Sequence, residues 1–282
     1  MSIDKNTEQD TGKNRKNIKD QFYTNSAVAK DCIDQVLSVL PCVKDYLWIE
    51  PSAGNGAFLN NLPLPFHKIG IDIDPQCDNV IKSDFLEWIP PCNEPIIIFG
   101  NPPFGRQSSL AKRFIARSCQ FADVIAFILP KSFTKPSMNN VFSLTFHCIH
   151  SYQLGENSFI INKKAYDVPC VFQIWQKQNE NRIVDEKIRP FLFVYVKENE
   201  KYHIALRRIG VNAGKCYIND GKIYSCQSHY FMRYDDSMIP FINNIIQKIN
   251  LHTFPSNTVG PRSLSKCEIN SVLNKINSMF SL

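Results

Sequence analysis

Four consecutive residues, Asn101-Pro102-Pro103-Phe104, follow directly on the apolar run Ile96-Ile97-Ile98-Phe99-Gly100. A short branched apolar run closed by Gly-Asn-Pro-Pro predicts a buried strand that ends in a rigid turn. Neither proline has an N–H to donate, each fixes its own φ near about −65°, and Pro103 pushes Pro102 towards an extended conformation. The Asn101 amide and the adjoining carbonyls are thereby held at a strand's carboxyl end, the edge of an open α/β sheet where ligands bind. Phe104 sets a flat apolar ring beside those acceptors. Acceptors next to a ring suit a planar ligand that carries an amino group. Taken alone, the same four residues also make an ordinary strand-ending turn.

A second group lies upstream. Glu50-Pro51-Ser52-Ala53-Gly54-Asn55-Gly56 follows the apolar run Tyr46–Glu50, and two glycines at alternate positions allow a backbone to approach a ligand closely. A plain tight turn has the same spacing, and neither the third glycine of a dinucleotide fingerprint nor the Gly-Lys-Ser/Thr of a phosphate loop is present. Asp72 ends the next run, Lys68–Asp72, about twenty residues on, where a carboxylate accepts from a ribose diol. Asp84 ends a third extended piece before Phe85, placed to receive the amino group of an adenine packed against that ring. Each carboxylate singly also reads as a loop charge. Their order at successive strand ends is the stronger signal.

The elements that must position these residues alternate. Ala27, Val28, Ile33, Val36, Leu37 and Leu40 recur at helical spacing, with Thr24, Asn25 and Ser26 available as caps and Pro41 beyond the end. Strands are expected at Tyr46–Glu50, Lys68–Asp72, Val80–Asp84, Pro95–Phe99 and Asp123–Pro130, with a short helix from Ala57 and a longer one over Ser108–Phe121. This alternation predicts an α/β fold around a parallel sheet. Runs at Cys148–Leu154 and Cys170–Gln176 predict an antiparallel pair at its edge. Past a charged linker, Gln178–Lys187, come strand-like runs at Phe191–Val196, Tyr202–Arg208 and His229–Tyr234, then helical segments Met238–Ile249 and Ser265–Phe280. This reads as a small α+β extension or as the tail of the same domain.

Composition narrows the field. The 282 residues carry a formal charge of +6, and from Glu180 onward 14 Lys/Arg stand against 9 Asp/Glu, which favours a polyanionic partner or a solvated basic face. No window approaches the run of about 18 apolar residues that a membrane span needs. Met1–Lys19 is polar and predicts a disordered tail rather than a signal peptide. Ten cysteines are scattered without a Cys-x-x-Cys pair, so free thiols inside a cell are expected. His147-Cys148-Ile149-His150 falls in a strand that sends neighbours to opposite faces, so no metal site is expected there.

With these motifs in order, the chain resembles the class I S-adenosylmethionine-dependent amino-methyltransferases, closest to N6-adenine enzymes whose cofactor half precedes the catalytic half. Gln21-Phe22-Tyr23-Thr24 resembles the segment that such enzymes place against the methionine end of the cofactor, and Ile128-Leu129-Pro130-Lys131-Ser132-Phe133 resembles their post-catalytic strand and loop. The match covers about residues 20–177. It implies a Rossmann-like class I methyltransferase fold, mostly parallel with an antiparallel edge strand. It implies S-adenosyl-L-methionine as cofactor, held by Tyr23, Thr24, Glu50, Ser52, Ala53, Gly54, Gly56, Asp72, Ile73, Asp84, Phe85 and Asn101. It gives the catalytic role to Asn101, Pro102, Pro103 and Phe104, with Phe104 stacking on the extruded base.

The resulting division is a tail at 1–19, a methyltransferase domain at 20–177 and a substrate-recognition extension at 188–282. In that extension Arg207, Arg208 and Lys215 are candidates for phosphates, and Tyr217, Tyr224, Tyr230 and Phe231 for bases. An aromatic core with solvated basic residues fits them as well. The expected partner is nucleic acid, DNA ahead of RNA. The same catalytic motif occurs in methyltransferases of RNA and of protein glutamine, and a silent binding subunit with this fold is the non-enzymatic alternative. The extension is shorter than the recognition region usual for sequence-specific DNA enzymes of this arrangement.

Overall fold

Tyr23 and Thr24 form a two-residue strand, β1, and Asn25 ends it by capping the helix that follows, its Oδ1 accepting the Ala27 N–H at 3.0 Å. That helix, α1, runs Ser26–Val39 and buries Ala29, Cys32, Ile33 and Val36. The computed structural model describes residues 22–91, 94–161, 164–183, 188–256, 258 and 261–281. The expected tail at 1–19 and Gln21 lie outside the described residues. The chain divides into two compact units, residues 1–184 and 185–282.

In the first unit the remaining elements are β2 (Leu47–Glu50), β3 (Lys68–Asp72), β4 (Val80–Lys82), β5 (Ile96–Gly100), α2 (Ser109–Ser118), β6 (Val124–Pro130), α3 (Pro136–Asn139), β7 (Phe146–Gln153), β8 (Phe159–Ile161), β9 (Lys164–Tyr166) and β10 (Cys170–Lys177). Seven of the strands make one sheet in the order β4-β3-β2-β5-β6-β10-β7. β4 to β6 pair in parallel, and β10 runs antiparallel to both β6 and β7. That order and orientation make a Rossmann-like class I methyltransferase fold. Every residue of β2, β5 and β6 is buried, as continuous apolar runs in a two-sided parallel sheet require. Trp48 meets Phe66 and Phe99 edge to face, and Phe58 meets Phe99 likewise.

Two expectations need correcting. The helix expected from Ala57 is only a 3₁₀ turn, Leu59–Asn61, and among the described residues no α-helix follows β2, β3 or β4. Pro63 and Pro65 stand too close for a helix to continue. The irregular stretch before β10 holds a hairpin, β8–β9, and β8 pairs antiparallel with β1 to build a separate three-stranded sheet.

Gly70 lies where three elements meet. A Cβ there would come within 2.3 Å of Leu59 Cδ1 and 3.0 Å of Val80 Cγ2. Gly70→Ala is therefore expected to cost about 1–3 kcal/mol through overpacking, read as a melting temperature lower by about 3–10 °C.

The second unit contains β11 (Phe193–Val196), β12 (Ile204–Arg207), β13 (Cys216–Ile218), β14 (His229–Tyr234), α4 (Ile242–Leu251) and α5 (Lys266–Asn277). Its antiparallel sheet has the order β11-β14-β12-β13. Ile204, Leu206, Met232, Ile245, Ile249, Ile269 and Leu273 form its core. α5 opens with a reciprocal capping box between Ser265 and Glu268. From one side of α5, the Asn270, Asn274 and Asn277 amides donate to the carbonyls of Ile188, Arg189 and Phe191.

Candidate active site

The strands on either side of β2 and β5 are added in opposite directions, so the switch point of the sheet lies between those two. Ligands of open α/β sheets bind at the carboxyl ends beside such a point. Here it opens into a cavity of 480 Å³, within the range of small-molecule sites.

One wall is the loop after β2. Glu50, its last residue, is almost fully buried, and its Oε2 accepts the Leu59 N–H at 3.1 Å. Glu50 thus claims one of the N–H groups beyond the glycine turn. Gly54, at φ 49°, leaves no room for a side chain, since a Cβ would lie 3.1 Å from Tyr23 Cε1. Its N–H donates to Asp72 Oδ2 at 2.7 Å, while the Asp74 N–H donates to Oδ1 at 2.8 Å. A carboxylate has about four acceptor positions, so Asp72 ties the β2 loop to the end of β3 and retains capacity on both oxygens.

The far end is more apolar. Ile73 is 68% exposed and lines the cavity with Leu86, Leu110 and Phe114. Asp84 accepts the Leu86 N–H through Oδ1 at 2.9 Å. Phe85 also lines the cavity, but its ring is packed into the core against Phe114 and Phe121, 5.3 and 6.0 Å away.

Asn101 stands just past β5. Its carbonyl accepts from Ser52 Oγ at 3.0 Å, and its Nδ2 donates to the Phe22 carbonyl at 3.0 Å. Those two bonds fix the amide, whose Oδ1 is buried with no hydrogen-bond partner. An orphaned acceptor of this kind costs about 1–3 kcal/mol. The Pro102 carbonyl also accepts no hydrogen bond among the described residues. The open ring face expected of Phe104 is not free in this conformation. Phe104 is 7% exposed and lies near-parallel to Phe22 at 6.4 Å, and Phe22 in turn lies near-parallel to Tyr166 at 5.7 Å.

The structure brings Tyr23, Thr24, Glu50, Ser52, Ala53, Gly54, Asp72, Ile73, Asp84, Phe85 and Asn101 to Phe104 around this one cavity. Gly56 is the exception. At φ 75° with its N–H on the Ala53 carbonyl, it closes the turn behind the wall. Leu110, Arg113 and Phe114 of α2 also line the cavity, outside the expected site set; their i, i+3, i+4 spacing is the one signal the sequence carries for them. Phe22 was quoted only as part of its motif.

Burial, offset in part by the Leu59 N–H and reinforced by Asp72, pushes the Glu50 carboxyl well above the usual carboxylate range. The penalty Glu50 places on the fold is absent where it is protonated in both states, below about pH 4.5, and grows as pH rises towards the raised folded value. Glu50→Gln keeps an acceptor for Leu59 and removes that penalty. Thermal melts between about pH 4.5 and pH 8 should show the variant gaining on the wild type as pH rises.

No protein-family model matches the sequence, and no curated protein matches it. Among solved structures, the chain is similar to a candidate RNA methyltransferase from Pyrococcus horikoshii, at 18% identity over 56% of this chain and 87% of that one, with a TM-score of 0.45. It is also similar to the 23S rRNA methyltransferase ErmE, at 15% identity over 57% of this chain and 71% of that one, TM-score 0.43. A third is the magnesium protoporphyrin IX methyltransferase of Synechocystis PCC 6803, crystallised with bound S-adenosylmethionine, at 9% identity over 54% of this chain and 81% of that one, TM-score 0.40.

Proposed function

We propose that the chain is an S-adenosylmethionine-dependent methyltransferase acting on the N6 amino group of adenine in nucleic acid, with DNA ahead of RNA. The observation that carries this reading is the buried, unpartnered Asn101 Oδ1 beside a cavity with acceptors for an adenosine. Asp72 would take the ribose hydroxyls, Ile73 and Leu86 the adenine faces, and Asp84 its amino group. Tyr23, Thr24 and the Glu50–Gly54 loop, all lining the cavity, would hold the methionine end. When bound, S-adenosylmethionine supplies a methyl group on a sulfonium, so the protein's task is alignment.

An adenine amino group is a weak nucleophile because its lone pair is delocalised into the ring. Asn101 Oδ1 and the Pro102 carbonyl would hold its two hydrogens and draw the nitrogen towards tetrahedral geometry. The same fixed dipoles stabilise the positive charge that develops on the nitrogen as the methyl arrives. The proton leaves to water after transfer, so no strong base is required. The ring of Phe104 would recover part of the unstacking cost of the base, once Phe22 has shifted to admit it.

The membrane is not invoked: among the described residues no helix is long and apolar enough to cross one. An intact Asn101–Phe104 motif weighs against a silent subunit. The test is a tritiated-cofactor assay offering duplex DNA, single-stranded DNA, structured RNA and a glutamine-bearing release-factor-like protein in parallel. Label in N6-methyladenine supports the reading. Label on glutamine, or in methylcytosine, overturns the adenine assignment.

A further inference from the structure

The four-stranded sheet of the second unit has two unlike faces. Ile204, Leu206, Cys216, Met232 and Tyr234 point into the core with α4 and α5. Residues alternate across a strand, so Ala205, Arg207, Tyr217, His229, Phe231 and Arg233 share the opposite face, where Ala205, His229 and Phe231 are buried and Arg207, Tyr217 and Arg233 remain accessible. The register sets Ala205 between Tyr217 and Phe231, with Arg207 opposite His229. From the turn between β13 and β14, Tyr224 lies near-parallel to Tyr217, with ring centroids 5.3 Å apart, and 4.9 Å from His229. Both tyrosines are half-buried. Arg208, Tyr230 and Phe231 drop out of the set expected from sequence: Arg208 lies over Tyr230, which packs on the helix-covered core, and Phe231 is 3% exposed, packed against Tyr202 at 4.9 Å.

Charge is arranged to match. From Phe193 to Tyr234 there are seven Lys/Arg and three Asp/Glu. The three carboxylates are already engaged: Asp220 pairs with Lys222 at 2.9 Å, Glu198 accepts the Cys226 N–H, and Glu200 accepts the Lys197 N–H. Among the described residues the Arg207 guanidinium donates only through Nε, to the Ile209 carbonyl at 3.1 Å. Arg233 is exposed. Burial lowers the His229 pKa, which leaves that ring neutral and flat behind the tyrosines.

We infer that this face is a docking platform for an unpaired segment of nucleic acid, with a base stacked on Tyr217 and Tyr224 and flanking phosphates on Arg207 and Arg233. Paired aromatic rings with basic residues at their margin bind single strands through base stacking and backbone charge. Duplex bases, already stacked on each other, have no face to offer. The inference deepens the nucleic-acid reading of the acceptor, but its readout is binding, which is separate from methyl transfer.

Fluorescence anisotropy of the full chain with a labelled single-stranded DNA, the same sequence as RNA, and the DNA duplex tests it across about 50–200 mM salt. The wild type is expected to bind a single strand more tightly than the duplex. Tyr217→Ala with Tyr224→Ala should weaken that binding about tenfold with the salt slope unchanged, while Tyr217→Phe with Tyr224→Phe should retain it. Arg207→Gln with Arg233→Gln should lower the slope by about 1.4, two contacts at about 0.7 each. Tyrosine-dependent binding of either DNA or RNA supports the platform. No binding by the wild type, equal affinity for duplex, or unchanged affinity in the Ala pair overturns it. Binding that persists in a chain transferring no methyl group would refute the transfer reading and leave the platform standing.

Discussion

Asn101→Ala is expected to lower the rate of methyl transfer by about 10²–10³-fold, the usual loss when one preorganised dipole at a developing charge is removed. Its melting temperature should stay level or rise. The substitution forfeits the bond from Nδ2 to the Phe22 carbonyl, worth about 0.5–1.5 kcal/mol net. It also removes the orphaned Oδ1, whose burial costs about 1–3 kcal/mol. A residue kept for architecture would show the reverse, a less stable protein with residual activity in proportion. Steady-state rates at saturating cofactor, set beside thermal melts of the same preparations, separate the two. A variant that loses stability but keeps its rate would place the chemistry elsewhere.

Asp72→Ala is expected to weaken cofactor binding by about 100-fold. Hydrogen bonds to a charged group contribute about 1.5–3 kcal/mol each, and the substitution removes the acceptor proposed for the ribose. It also strands the N–H groups of Gly54 and Asp74, which now end on the two carboxylate oxygens. The loop proposed as the methionine wall then keeps the bond from the Ala53 N–H to the Ile71 carbonyl but loses its tie to the end of β3. Asp72→Asn, which keeps one acceptor oxygen, should fall between. Calorimetric titration with S-adenosylmethionine measures this directly, and affinity unchanged in Asp72→Ala would contradict the assignment. The kinetic signatures differ as well. Raising the cofactor concentration should recover the rate of the Asp72 variant and do nothing for the Asn101 variant.

What could be read from the sequence was whatever local patterning dictates. The strands β2, β3, β5 and β6 are apolar runs with sharp punctuation, and their lengths match the forecast closely. Asn25, among three candidate caps, is the one that serves. The losses are mostly non-local. β8, β9 and β13 are three residues each, too short for periodicity to register, and each forms because a partner is present. The helix expected after Gly56 stops at one 3₁₀ turn because Pro63 and Pro65 follow it at once. The Phe22 carbonyl meets Asn101 across 79 positions, and no motif spacing announces that bond. Phe104 read as an exposed stacking surface because its motif carries no record of the ring that lies beside it.

The short sheet over Asn101 has a consequence for how the site opens. β1 offers two residues of pairing, Tyr23 with Ile160 and Thr24 with Phe159, and one further bond from the Asn25 N–H to the Ser158 carbonyl. Beneath it lies an acceptor whose need is unmet while the cover is shut. The closed form thus carries its own penalty, set against these bonds, the bond from Asn101 Nδ2 to the Phe22 carbonyl and the packing of Phe22 on Phe104, Phe159 and Tyr166. A bound amino group that donates to Asn101 Oδ1 would remove that penalty.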